Sequence, residues 1–262
     1  MYAIAPPAAA AWRALLEWVA ARAGVDLEIV DHPPPQPLAA LWSRPDLGCA
    51  FMCGYPLAQA HPRPRVLAAP VPAGARYGGA PIYWTDIVVR AGSPFQAPED
   101  LFGRRFAWTA VDSQSGYQAP RRLFAPWALA RGAPLFASTV GPLVTPRRVV
   151  DAVLAGEADA GPLDSYAHDL LRVHEPAMAA GLRVIATTPP TPIPPLVAAA
   201  TIAAADERRL VAALLGVAAA PELAAIRARL LLAGFAARAP ADYDALVDRA
   251  GEADALGYPA LA

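Results

Sequence analysis

The chain has 262 residues, 56% of them hydrophobic and 17% charged, with a formal net charge of -1. That composition belongs to a folded globular protein with well-buried cores and excludes a disordered chain. Lys and Arg together number 22, every one of them Arg, and no basic run appears, so a nucleic-acid-binding face is not expected.

The opening "MYAIAPPAAAAWRALLEWVAARAG" lacks the basic start of a secretory leader, and Trp12, Arg13 and Glu17 interrupt its apolar run. It reads as a strand over 2–5, a Pro turn and an amphipathic helix over 11–23 that stops at Gly24. A second strand is expected over 26–30, then a Pro-rich loop entering a short helix in "DHPPPQPLAALW". Cys49 and Cys53, the only two cysteines, lie where a strand over 49–52 runs into a loop. None of the four histidines is near them in sequence, so buried thiols are expected there and no metal site.

"RVLAAPVP" continues as a strand, and 83–90 is the best strand of the chain, with aromatic, Thr, Ile and Val residues and no breaker. A short helix over 97–101, a strand over 105–109 and a helix over 117–130 closed by Gly132 follow. Next come a helix over 147–154, a strand over 158–162, a helix over 165–173 and a strand over 183–187. "TTPPTPIPPL" is extended, and helices are expected over 206–219 and 221–233 before a short tail. No apolar run reaches membrane-spanning length, so no membrane insertion is expected.

The alternation of strands and helices predicts an α/β protein. The C-terminal third reads as helical, with too few strands to stand alone. One lobe is therefore expected from 1–85 plus 188–262 and another from 86–187, with crossings near 83–85 and 188–195.

The stretch "AVDSQSGYQAPRR" carries the most chemistry. Ser113, Gln114, Ser115 and Gly116 lie between a strand end and a helix start. There, unpaired N–H groups, the helix dipole, two hydroxyls and a glycine can receive an anion. On spacing alone an ordinary N-cap accounts for the serines equally well. A serine nucleophile has no G-x-S-x-G elbow and no nearby histidine, and no nucleotide-binding glycine motif appears. No catalytic residue, metal or cofactor is expected.

Taken together, "CGYP" at 53–56, "YWTDIVVR", "DLFGRRFAW", "SQSG", "AVLAGEADAG" followed by Asp164, and the tail "LLLAGF…DYDAL…GYPAL" resemble one family. The family is that of the phosphate, phosphite and phosphonate substrate-binding proteins of ABC transporters. The resemblance covers most of the chain in order. It implies a type II periplasmic-binding-protein fold, two-lobed, with two crossing strands and a cleft between the lobes. It further implies a monomer that closes on a small anionic solute for an ABC permease.

Ser113, Gln114, Ser115 and Gly116 match the oxyanion-binding turn. Tyr55, Tyr83 and Thr85 match cleft positions, and Asp164 matches the acidic residue of the other lobe. Two positions depart from the pattern. Val144, Thr145 and Pro146 stand where relatives carry Gly-Ser-His, and Pro6-Pro7 where they carry Met-Tyr. The expected location is periplasmic where a leader has been removed, and otherwise cytoplasmic. Two other classes share the architecture: a cytosolic menaquinone-pathway enzyme acting on a chorismate-type acid, and a small-molecule sensor.

Overall fold

The computed structural model of the chain describes residues 2–33, 35–199 and 201–262. Pro34, in the proline-rich loop, lies outside the described residues. The strands in chain order are β1 (Cys49–Phe51), β2 (Arg65–Pro72), β3 (Ile82–Tyr83), β4 (Thr85–Arg90), β5 (Arg105–Ala107) and β6 (Ser138–Val140). They continue as β7 (Ala160–Asp164), β8 (Leu182–Thr187), β9 (Thr191–Pro192), β10 (Leu196–Ala198) and β11 (Leu232–Ala236). The chain forms two compact units, Met1–Ile82 with Pro192–Tyr243, and Tyr83–Thr191 with Asp244–Ala262.

The first unit is built on an antiparallel sheet of order β1-β10-β2-β11. The helices Pro6–Ala23 and Ala204–Gly216 pack together, and the second of them packs on β2 and β11. They bury Leu15, Val19, Leu210 and Leu214. Pro6 suits the first helical turn because its missing N–H would have no partner there. Gly24 ends the helix in the left-handed conformation that favours glycine.

Three expectations need correction here. Residues 2–5 and 26–30 are not strands. Tyr2 is buried among rings instead, edge-on to Phe51 and tilted against Trp12. Residues 26–30 alternate in exposure as a strand would but join none of the three sheets. The helix expected over 221–233 stops at Arg229, and Leu231 adopts a positive φ of 47° before β11 begins. β11 then pairs antiparallel with β2. A Cβ at Gly234 would come within 2.8 Å of the Ala218 Cβ, so glycine permits this close approach of strand and turn. With β10 and β11 both in the sheet, the C-terminal third supplies strands that its sequence did not suggest.

The cysteines sit in this unit. Cys49 is half-buried in β1, and Cys53 is buried at the start of the helix Gly54–Gln59. Burial pushes the Cys49 thiol up to about 11, which keeps it protonated and unreactive at neutral pH.

The second unit has a mixed sheet of order β6-β5-β7-β4-β8. β4, an interior strand, is antiparallel to β7 and β8, while β5 is parallel to β6 and β7. Every residue of β4 but Arg90 is buried, as expected for a strand covered on both faces. Phe106 stacks on Phe136 at 4.7 Å and meets Phe124 edge-on at 5.4 Å. These rings form a cluster with Ile87, Leu101, Ala253, Tyr258 and Leu261.

The tail is the fourth correction. Residues 244–262 belong to this unit and not with the rest of the C-terminal third. The helix Ala245–Ala255 packs on the helix Ala119–Arg131, and Arg121 and Tyr117 hold the chain end. Amphipathic periodicity marks the apolar face of such a helix but does not say which partner covers it.

Asp159 closes the turn before β7. It accepts from the Arg105 backbone N–H at 2.9 Å and from both ends of its guanidinium. Partial burial opposes ionisation, but these hydrogen bonds outweigh it and hold the Asp159 carboxyl below the usual range. A depressed folded-state value stabilises above the unfolded-state pKa of about 4, and that contribution is lost as pH falls through the folded value. Asp159→Asn is therefore expected to melt earlier than the native chain at pH 7. The gap should shrink below about pH 4, as thermal melts across the acid range will show.

Candidate functional site

The Ser113–Gly116 segment forms a single π turn, Gln114–Gln118, leading into the helix Ala119–Arg131. Its i→i+5 bonds run from Gln118 N to Ser113 O at 3.0 Å and from Ala119 N to Gln114 O. Such turns widen a helix and recur at functional sites. Ser113 is the cap: its Oγ accepts from Gly116 N at 3.0 Å. Ser115 is not a cap. Its carbonyl accepts from Thr85 Oγ1 at 3.0 Å, and no described residue bonds its hydroxyl, although the residue is only 9% exposed.

Gly116 is needed for space. A Cβ there would lie 1.8 Å from Thr109 Oγ1 and 2.9 Å from Ser113 Oγ. Thr109, 3% exposed, is itself tied down, since its N–H donates to Gly116 O and its carbonyl accepts from Val144 N. The turn is thus clamped against the end of β5 from one side and by Thr85 from the other.

Thr85 opens β4 and lies opposite Asp164, the last residue of β7, in the antiparallel register. The Thr85 N–H donates to Thr188 Oγ1 and its carbonyl accepts from Thr188 N, so all its polar groups serve the local frame. Asp164 accepts from the N–H groups of Tyr166 and Ala167 at 2.8 and 3.0 Å. It therefore caps the helix Ser165–His174, where a negative charge is stabilised by the helix dipole. The register and the Thr85–Ser115 bond bring Thr85, Ser115 and Asp164 to one end of the sheet.

Tyr83 is buried at the end of β3. Tyr55 lies in the first unit, half-buried in the helix Gly54–Gln59, where its hydroxyl accepts from Gln59 Nε2 at 3.0 Å. At the departure from the family pattern, Thr145 Oγ1 caps the helix Pro146–Ala155 by accepting from Arg148 N, and Val144 holds a φ of 69°.

Sequence reasoning missed a buried polar network between β4 and the helix Ser165–His174. Asp86 accepts from Trp84 Nε1 at 3.1 Å and pairs with His168 Nδ1 at 2.8 Å, both side chains being almost fully buried. The signal was available: an aspartate inside the apolar strand "TDIVVR" must find a partner when buried.

Residues 5–243 match the family model described as ABC transporter, phosphonate, periplasmic substrate-binding protein. The chain belongs to this family. No curated protein matches the sequence. Among solved structures, the binding-protein component of an ABC phosphonate transporter from Pseudomonas aeruginosa superposes with a TM-score of 0.81 at 19% identity. That match covers 95% of this chain and 82% of the other. PhnD1 from Prochlorococcus marinus, in complex with methylphosphonate, gives a TM-score of 0.74 at 15% identity, with 92% of each chain covered. A Xanthomonas citri protein bound to ATP gives 0.66 at 21% identity, with 94% of each covered. At these identities the structures establish the shared fold, the periplasmic-binding-protein architecture of the phosphonate-binding family.

Proposed function

We propose that this phosphonate-binding family member takes up a small phosphonate- or phosphate-like oxyanion, closes on it, and delivers it to an ABC permease. The observation that carries this reading is the Ser115 hydroxyl, held on a rigid turn at a helix N-terminus and bonded by no described residue. A hydroxyl donor, the first N–H groups of the helix and its dipole together favour an anion. Ser113, Gln114 and Gly116 complete the turn. Thr85 positions it, and Asp164, Tyr83 and Tyr55 are proposed as further ligand contacts.

An enzyme on the same fold has no observation in its favour, since Asp164 is engaged with backbone N–H groups as a cap. The printed descriptions of the Pseudomonas and Prochlorococcus proteins, a phosphonate transporter component and a methylphosphonate complex, support the transport reading.

Ser115→Ala and Ser113→Ala separate recognition from capping. A charge-assisted bond to a buried anion is worth ~1.5–3 kcal/mol, so Ser115→Ala should weaken methylphosphonate or phosphate binding roughly tenfold or more. Its melting temperature should hardly move. Ser113→Ala should cost about 1 kcal/mol of stability through the lost cap. Calorimetric titration and thermal melts read both quantities. A Ser115→Ala protein with native affinity for every anion of a phosphate, phosphonate, sulfonate and carboxylate screen would sink the reading.

A further inference from the structure

β4 carries one carboxylate inside its buried, largely apolar run. Asp86 is 1% exposed, and its two oxygens serve different partners. Oδ1 accepts from Trp84 Nε1 at 3.1 Å. Oδ2 pairs at 2.8 Å with Nδ1 of His168, which is 2% exposed on the helix Ser165–His174. Burying such groups is costly, and an apolar pair of similar volume often joins two elements as well or better. Fold stability is therefore a poor reason for this pair.

The pair sits on the frame of the oxyanion turn. Side chains alternate along a strand, so Thr85 faces the turn while Asp86 faces the helix Ser165–His174 on the other side. The chain and this helix are tied again just before β4. There the Trp84 N–H donates to Ser165 Oγ at 3.1 Å, and the Trp84 carbonyl accepts from Ser165 N at 2.9 Å. Asp164, the cap of the helix, lies opposite Thr85, and Thr85 holds Ser115 by its carbonyl.

Asp86 and His168 thus act on the site through Asp164 and Thr85. A binding constellation has to be held within about 0.5 Å, and a hydrogen bond fixes direction and spacing where apolar contact does neither. A helix free to slide on β4 would carry Asp164 away from the end of the sheet where Ser115 sits, while leaving the turn itself intact.

We propose that Asp86 and His168 are positioning residues for the oxyanion site. Their bond locks the helix Ser165–His174 to β4 and so sets where Asp164 stands relative to Ser115. This inference rests on the oxyanion reading of the turn and adds to it the part that holds its geometry.

An Asp86→Val, His168→Leu double variant tests this, because it exchanges the pair for apolar side chains. Its melting temperature should stay within about 4 °C of the native value. Its affinity for methylphosphonate and phosphate, measured by calorimetric titration, should fall roughly tenfold. Asp86→Asn with His168 retained should rescue most of that loss, since an amide can accept from Trp84 Nε1 and donate to His168 Nδ1. If the double variant does not fold, Asp86→Asn with His168→Leu breaks only the strand–helix bond and should show the same tenfold loss. Native affinity in either folded double variant overturns the inference, as does an Asp86→Asn protein that binds no better than they do. A native chain that binds neither anion overturns the oxyanion reading itself, and this inference with it.

Discussion

Arg121→Ala is expected to destabilise the second unit by ~3–5 kcal/mol, a fall in melting temperature of roughly 10 °C. Arg121 is 3% exposed and reaches four residues: Gln118 Oε1 through two bonds, Asp254 Oδ1, and the carbonyls of Ala250 and Tyr258. Asp254 is more than half exposed, so solvent screens the ion pair and it contributes little. The buried acceptors dominate. Truncation leaves two carbonyls and the Gln118 amide oxygen without their donor, each at the cost of an unmet buried acceptor.

The consequence is regional, because Arg121 joins the helix Ala119–Arg131 to three points of the tail, Ala250, Asp254 and Tyr258. Hydrogen exchange should show residues 245–262 opening in Arg121→Ala at much lower free energy than in the native chain. Asp254→Ala, which removes only the screened partner, should cost less than about 1 kcal/mol. Equal effects of the two substitutions would show that the ion pair, and not the buried acceptor set, holds the tail.

Gly116→Ala is expected to cost up to about 3 kcal/mol and to abolish high-affinity oxyanion binding. The added methyl would sit 1.8 Å from Thr109 Oγ1 and 2.8 Å from Thr109 Cβ, and neither side can yield without losing bonds. Thr109 is held through its N–H and carbonyl, and the turn through Thr85. Removing the closest atom should therefore rescue part of the loss. In the Thr109→Ala, Gly116→Ala double variant stability should recover by about 1 kcal/mol or more relative to Gly116→Ala alone, measured by urea denaturation. A double variant no more stable than the single one would mean that the steric clash is not the cause.

Much of this protein was legible without coordinates. The apolar β-branched run of "TDIVVR" dictates a buried strand, and Gly24, Gly132 and Gly156 mark three helix ends where the left-handed conformation is adopted. The segment "SQSG" between a strand and a helix marks the turn, because hydroxyl and glycine residues at a helix start have few other uses. The order of linked segments pointed to the family that the match over residues 5–243 establishes.

Other features depended on contacts between residues far apart in the chain. Local pattern could not tell the helix-like run 230–236 from a strand, since apolar residues serve both; pairing with β2 and the close approach at Gly234 decided it. The same limit hid the tail's attachment to the second unit, which Arg121 settles across more than 120 residues of sequence. It also hid the division of labour between the two serines. Spacing treats Ser113 and Ser115 alike, but the widened turn aims one hydroxyl at its own backbone, and Thr85 from another strand fixes the other residue by its carbonyl. Composition and periodicity report what a residue can do; which partner occupies each donor and acceptor is set only when distant segments meet.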